Sequence, residues 1–124
     1  MSSVLVIDDL RVVRLSIEAA LNRLGHQVKT AEDFISAQNL IKETKFDLII
    51  TDILMPQVDG LTVVKWLRSN HPNIKIVAMS GGGSLASAEE ALSYATHVVD
   101  ATIRKPFDAD ELLAVIKPVL GETV

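Results

Sequence analysis

The chain is expected to fold as a doubly wound α/β domain, a five-stranded parallel sheet with helices on both faces, and three observations predict it. Short apolar runs at Val4–Ile7, Phe46–Ile50 and Ile74–Met79 show little polar alternation, as strands buried on both faces do. Between these runs lie segments whose apolar residues recur at helical spacing. The alternation of strand and helix persists along the whole 124-residue chain, a pattern that gives a parallel sheet with right-handed crossovers.

The first strand is Val4 to Ile7, and the first helix carries Val13, Ile17, Ala20, Leu21 and Leu24 on one face. Asp9 is placed to cap that helix and Gly25 to stop it. Gln27 to Ala31 reads as a second strand, followed by a helix near residues 32–43 with Phe34, Ala37, Leu40 and Ile41 on one side. Phe46 to Ile50 is the third strand. The third helix presents Leu61, Val64 and Leu67, and Pro72 ends its region. Ile74 to Met79 is the fourth strand, the alanine-rich stretch from Leu85 to Tyr94 a fourth helix, and Val98 to Ile103 a fifth strand. The last helix opens on Asp108 with Glu111 three residues on, the spacing of a capping box, and continues through Leu112, Val115, Ile116, Val119 and Leu120. Pro118 falls inside that pattern and should kink or fray the final turn. The expected strand order is 2-1-3-4-5, the flavodoxin-like arrangement, whose switch point lies between the first and third strands.

Length allows one domain over residues 1–124 with a real core and no room for a separate output domain. A hydrophobic fraction of 48%, a charged fraction of 23% and a net charge of −4 are ordinary globular values. The basic residues form no run, so direct nucleic-acid binding lacks its electrostatic footprint. There are no cysteines, which removes disulfides, thiolate zinc sites and cysteine nucleophiles together. The start lacks a secretory signal pattern and no stretch approaches a membrane span, so a soluble cytoplasmic protein is the expectation. His26, His71 and His97 are scattered without metal-ligand spacing and are expected to be solvated, and Trp66 is expected to pack on a helix.

Four apolar runs stop at residues able to handle a phosphoryl group: Asp8 and Asp9, Asp52, Ser80 and Lys105. Parallel strands end along one edge, where open α/β sheets bind ligands. Adjacent aspartates at a strand-to-helix turn are, taken alone, a cap and a solvated neighbour. Asp52 argues for more, because it ends a central strand where carboxylates are rare unless paired or metal-bound. Two like charges about 4 Å apart repel by about 4 kcal/mol at an effective dielectric near 20, so a cation belongs among the three. Oxygen ligands point to Mg²⁺. Lys105 adds a fixed positive charge, and Pro106 can hold the turn after it in a geometry that a cis bond supplies. Asp52 is the best nucleophile for an incoming phosphoryl group, while the neighbours Asp8 and Asp9 are suited to the metal.

With these residues in place, the chain resembles the receiver domain of bacterial two-component response regulators over essentially its whole length. The stretches that carry the resemblance are VLVIDDLRVVR, DLIITDILMPQVDG, IVAMSGGG and IRKPF, in the family's order and approximate spacing. The resemblance implies a stand-alone receiver in which Asp52 accepts phosphate from a histidine kinase or histidine phosphotransfer protein. It implies Mg²⁺ at Asp8, Asp9 and Asp52 with the backbone carbonyl of Leu54, and Ser80 and Lys105 binding the phosphate once attached. Pro56 and Gly60 match the family's loop after the acceptor, and Leu54 and Gly82 fall where it tunes dephosphorylation. Output would pass to a protein target through the face of the fourth helix, fifth strand and fifth helix, with no other enzymatic turnover expected.

The chain departs from the family's pattern in three places. Thr102 stands where many receivers carry Tyr or Phe as a switch residue, and Val98 and Val99 replace the common Gly-Ala before the fifth strand. Gly81, Gly82 and Gly83 follow Ser80, and read either as a mobile flap over the site or as a permissive turn. Two other functions compete. A small aspartyl-phosphate phosphatase or phosphotransferase would place its two acids two residues apart after the first strand, whereas here they are adjacent and Leu10 follows. A flavin protein would place a Ser, Thr or Gly phosphate loop where the two aspartates stand.

Overall fold

A computed structural model describes residues 2–53, 60–81 and 98–121. Its elements, in chain order, are β1 (Ser3–Ile7), α1 (Arg11–Asn22), β2 (Gln27–Ala31), α2 (Phe34–Glu43), β3 (Leu48–Asp52), α3 (Gly60–Asn70), β4 (Lys75–Ser80), β5 (Ala101–Arg104) and α4 (Ala109–Val119). The five strands form one sheet in the order β2-β1-β3-β4-β5, with every neighbouring pair parallel. The helix expected at residues 85–94 lies outside the described residues.

Successive strand side chains point to opposite faces of a sheet, and this divides the core in two. Val4, Val6, Leu48, Ile50, Val77 and Met79 pack on one face against Ile17 and Leu21 of α1 and Leu112 and Ile116 of α4. Leu5, Ile7, Ile49 and Ile76 pack on the other, against Ala37 and Ile41 of α2 and Val63, Val64 and Leu67 of α3. Residues 4–7 of β1, 48–50 of β3 and 76–79 of β4 are therefore dry on both faces, which is why these stretches read as apolar runs. Phe34 and Trp66 meet edge to face across the second layer, their ring centroids 5.5 Å apart, so Trp66 is a packing residue as expected.

The helix ends follow local chemistry. Gly25, at φ +86°, ends the α1 region: its N–H donates to the carbonyl of Asn22 and that of His26 to the carbonyl of Leu21, the bond pair of a Schellman turn. Leu24 thus falls beyond the helix rather than on its face. Asp33 caps α2 by accepting the N–H of Ser36 at 2.8 Å, and Asp108 with Glu111 forms the anticipated capping box on α4. α4 keeps Pro118 in its last turn and ends one residue later.

β5 begins at Ala101 rather than at Val98, because residues 98–100 are held in a turn by Arg68. His26 is buried rather than solvated; its Nδ1 accepts the N–H of Ser2 at 3.0 Å and helps seat the start of β1 beside β2.

Candidate phosphoacceptor and metal site

The strand order sets the site. β1 and β3 are adjacent while the chain leaves them in opposite directions across the sheet, so a crevice opens at their C-terminal ends. Asp8 directly follows β1 and Asp52 is the last residue of β3. Ser80 ends β4, in register with Arg104 of β5, and Lys105 comes next in the chain. All four expected strand ends therefore share one edge of the sheet.

Asp8 is fully buried and Asp52 and Ser80 are each 3% exposed, whereas Asp9 faces solvent. Such burial demands partners for the carboxylates. Asp8 Oδ1 accepts the N–H of Leu10 at 2.8 Å, and Lys105 Nζ donates to Asp8 Oδ2 at 2.6 Å and to Asp52 Oδ2 at 3.1 Å. Arg14 reaches back from α1 to donate to the carbonyl of Asp8 at 2.7 Å. Asp9 was expected to cap α1, but the residue at the cap position is Leu10, with no side-chain bond there. The aspartate bonding to the turn is Asp8, and Asp9 is left for other use.

Carboxylate oxygens of Asp8, Asp9 and Asp52 lie within 4.8 Å of one another. Three carboxylates against one ammonium leave two negative charges in excess, the charge of one divalent cation. The donors are all oxygen, with no sulfur or imidazole among them, and that set fits a small hard ion such as Mg²⁺. Burial of Lys105 works against its charge, but the hydrogen bond to Asp8 and the negative charges of Asp52 and Asp8 outweigh it. Its pKa stands above the ordinary lysine value and the ammonium is permanent at neutral pH.

Lys105 N–H donates to the Ser80 carbonyl at 2.7 Å, and the Lys105–Pro106 peptide is cis. Thr102 is half-buried on β5 opposite Ala78. Leu54, Pro56, Gly82 and Gly83 lie outside the described residues. The residue missed from sequence is Arg68. Its Nε and Nη2 donate to Val98 O at 3.0 and 2.9 Å, its Nη1 to Pro72 O and Ile74 O at 3.1 and 2.9 Å, and its Nη2 also to Asp100 Oδ2 at 3.2 Å. All five guanidinium donors are used, most of them on backbone carbonyls, which no sequence pattern announces.

Residues 4–117 match the family model of the response regulator receiver domain, and the chain belongs to that family. It is 34% identical over 120 residues to the DNA-binding transcriptional regulator NtrC of Azospirillum brasilense, covering 97% of this chain and 24% of that protein. It is 33% identical over 120 residues to the response regulator MprA of a Mycobacterium species, covering 97% of this chain and 51% of that one. The chain thus spans about a quarter to a half of the length of these curated relatives. Among solved structures it is similar to the response regulator TrrA of Thermotoga maritima in complex with Mg²⁺ and BeF, with a TM-score of 0.81 and 28% identity over 96% of this chain and 99% of that one. Membership of the receiver family disfavours the phosphatase reading. Among the described residues no helix is long and apolar enough to cross a membrane.

Proposed function

We propose that residues 1–124 act as one receiver unit in a two-component or phosphorelay pathway, with Asp52 as phosphoacceptor. The observation that carries this reading is the juxtaposition of buried Asp52 with Asp8, Asp9 and the bridging ammonium of Lys105. A carboxylate oxygen of Asp52 forms a bond to the phosphorus of a phosphohistidine on a kinase or phosphotransfer protein. The P–N bond breaks, and its electron pair stays on the imidazole nitrogen, which is then free to take a proton from solvent. Lys105, already beside Asp52, turns its ammonium to the new phosphate oxygens, and the Ser80 hydroxyl supplies a further donor. Water later cleaves the acyl phosphate, returning the carboxylate and releasing inorganic phosphate.

Mg²⁺, when bound, neutralises phosphoryl oxygens and offsets the repulsion between them and the carboxylates. Asp8, Asp9, Asp52 and the backbone carbonyl of Leu54 would hold it. The added phosphate shifts a pre-existing equilibrium between two arrangements of the strand ends and so changes binding to a protein target. Surface near β5 and α4, together with residues 85–94, is the proposed output face, with Thr102 in the switch position. A cytoplasmic location belongs to the same reading, and protein rather than nucleic-acid partners accord with the absence of a basic run.

Amide spectra recorded with Mg²⁺ and beryllofluoride test this. Shifts at the four strand ends that require Mg²⁺ and vanish in Asp52→Asn support the reading. Shifts that persist unchanged in Asp52→Asn contradict it.

A further inference from the structure

Gly81 has φ +140°, a backbone conformation that side chains rarely adopt, and it lies against the main chain of Lys105. A Cβ at position 81 would lie 2.9 Å from Lys105 Cβ and 3.2 Å from Lys105 O. Neither neighbour is a flexible side-chain end. The two segments are also tied by the 2.7 Å hydrogen bond from Lys105 N to Ser80 O, so separation at 81 must move the root of Lys105 or break that bond. At the far end of the same side chain, Nζ is held 2.6 Å from Asp8 and 3.1 Å from Asp52.

We infer that Gly81 is a positioning residue: its bare backbone lets β4 and the start of the turn after β5 close together, and thereby sets the reach of the Lys105 ammonium to Asp52. The missing side chain at 81 serves the lysine rather than the freedom of the glycine run alone. This rests on the phosphoacceptor reading of Asp52, and its test separates the two. Small errors in the placement of a charge-stabilising group are expensive in rate, since the ammonium acts only within contact distance of the transferring phosphoryl oxygens.

The test is a double-mutant cycle in the intact chain, with acetyl phosphate and Mg²⁺ as donor system and folding checked by circular dichroism. Labelling of the wild type that is lost in Asp52→Asn secures the acceptor independently of Gly81. Gly81→Ala should then slow labelling roughly tenfold or more, and Lys105→Met should slow it at least as much. The double variant should be no slower than Lys105→Met, because the alanine has no lysine left to displace. Wild-type rates in Gly81→Ala, or an undiminished effect of Gly81→Ala in the Lys105→Met background, would overturn the inference. If Gly81→Ala does not fold, Gly81→Ala with Lys105→Gly decides: recovered folding supports the contact at Lys105 Cβ, and continued failure overturns it.

Discussion

Lys105 Nζ donates to Asp8 Oδ2 at 2.6 Å, joining two residues 97 positions apart, with the carboxylate fully buried and the ammonium side chain 14% exposed. Removing one partner of such a pair strands the other charge in a poor solvent for it. Lys105→Met is therefore expected to cost about 3 kcal/mol of stability without metal. Urea denaturation in the presence of chelator measures it, and added Mg²⁺ should return part of the loss by replacing the missing positive charge. A variant as stable as the wild type in chelator would show that the pair carries little.

Asp9 offers the complementary experiment, because it is exposed and is one of three clustered carboxylates among the described residues. Asp9→Asn should change metal-free stability by no more than about 0.5 kcal/mol. In the wild type, Mg²⁺ at a hundred times its dissociation constant should stabilise the fold by about 2.7 kcal/mol. Thermal melts with and without Mg²⁺ should show that increment reduced in Asp9→Asn.

Arg68 ties the end of α3 to the turn before β5 through Val98, while Asp100 accepts Ile76 N–H at 2.8 Å from the same turn. Arg68→Met leaves the carbonyls of Val98, Pro72 and Ile74 short of a donor and should cost about 2–3 kcal/mol. Arg68→Lys should recover only a minor part, since an ammonium cannot reproduce the fork geometry. Denaturant midpoints distinguish these outcomes, and equal stability of the lysine variant and the wild type would contradict the clamp.

The cap of α2 sets a pH dependence. The backbone N–H of Ser36, with its side chain, holds the Asp33 carboxyl below the usual range against a small opposing effect of burial. A lowered pKa in the folded state means that stability is present above the ordinary aspartate value and is lost as pH falls through the lowered one. Asn caps helices as Asp does but does not titrate. The stability advantage of wild type over Asp33→Asn should therefore hold from neutral pH down to the ordinary aspartate range and shrink as pH falls below it. An advantage that grows in acid would show that the carboxylate is not held by Ser36.

What could be read from the chain and what could not divide along physical lines. Residues 4–7 of β1, 48–50 of β3 and 76–79 of β4 are buried on both faces, so their apolar runs mark them in any context, and the residues that end them follow directly. β5 was harder: Val98 and Val99 have strand-forming side chains, yet they sit in a turn imposed by Arg68 from 30 residues away. The same limit applies at Asp8 and Asp9: Asp9, the nearer to the helix, reads as its cap, and only the path of the chain sends Asp8 instead to Leu10 N–H and Lys105. The close approach of Gly81 to Lys105 belongs with these, since a glycine run shows freedom but not what lies beside it.

The most direct test of the central claim is the intact mass of the chain after exposure to acetyl phosphate and Mg²⁺, compared with Asp52→Asn treated alike. One added phosphoryl group in the wild type, labile as an acyl phosphate and absent from Asp52→Asn, is the predicted result. Labelling of Asp52→Asn to the wild-type extent would contradict the assignment of Asp52 as phosphoacceptor.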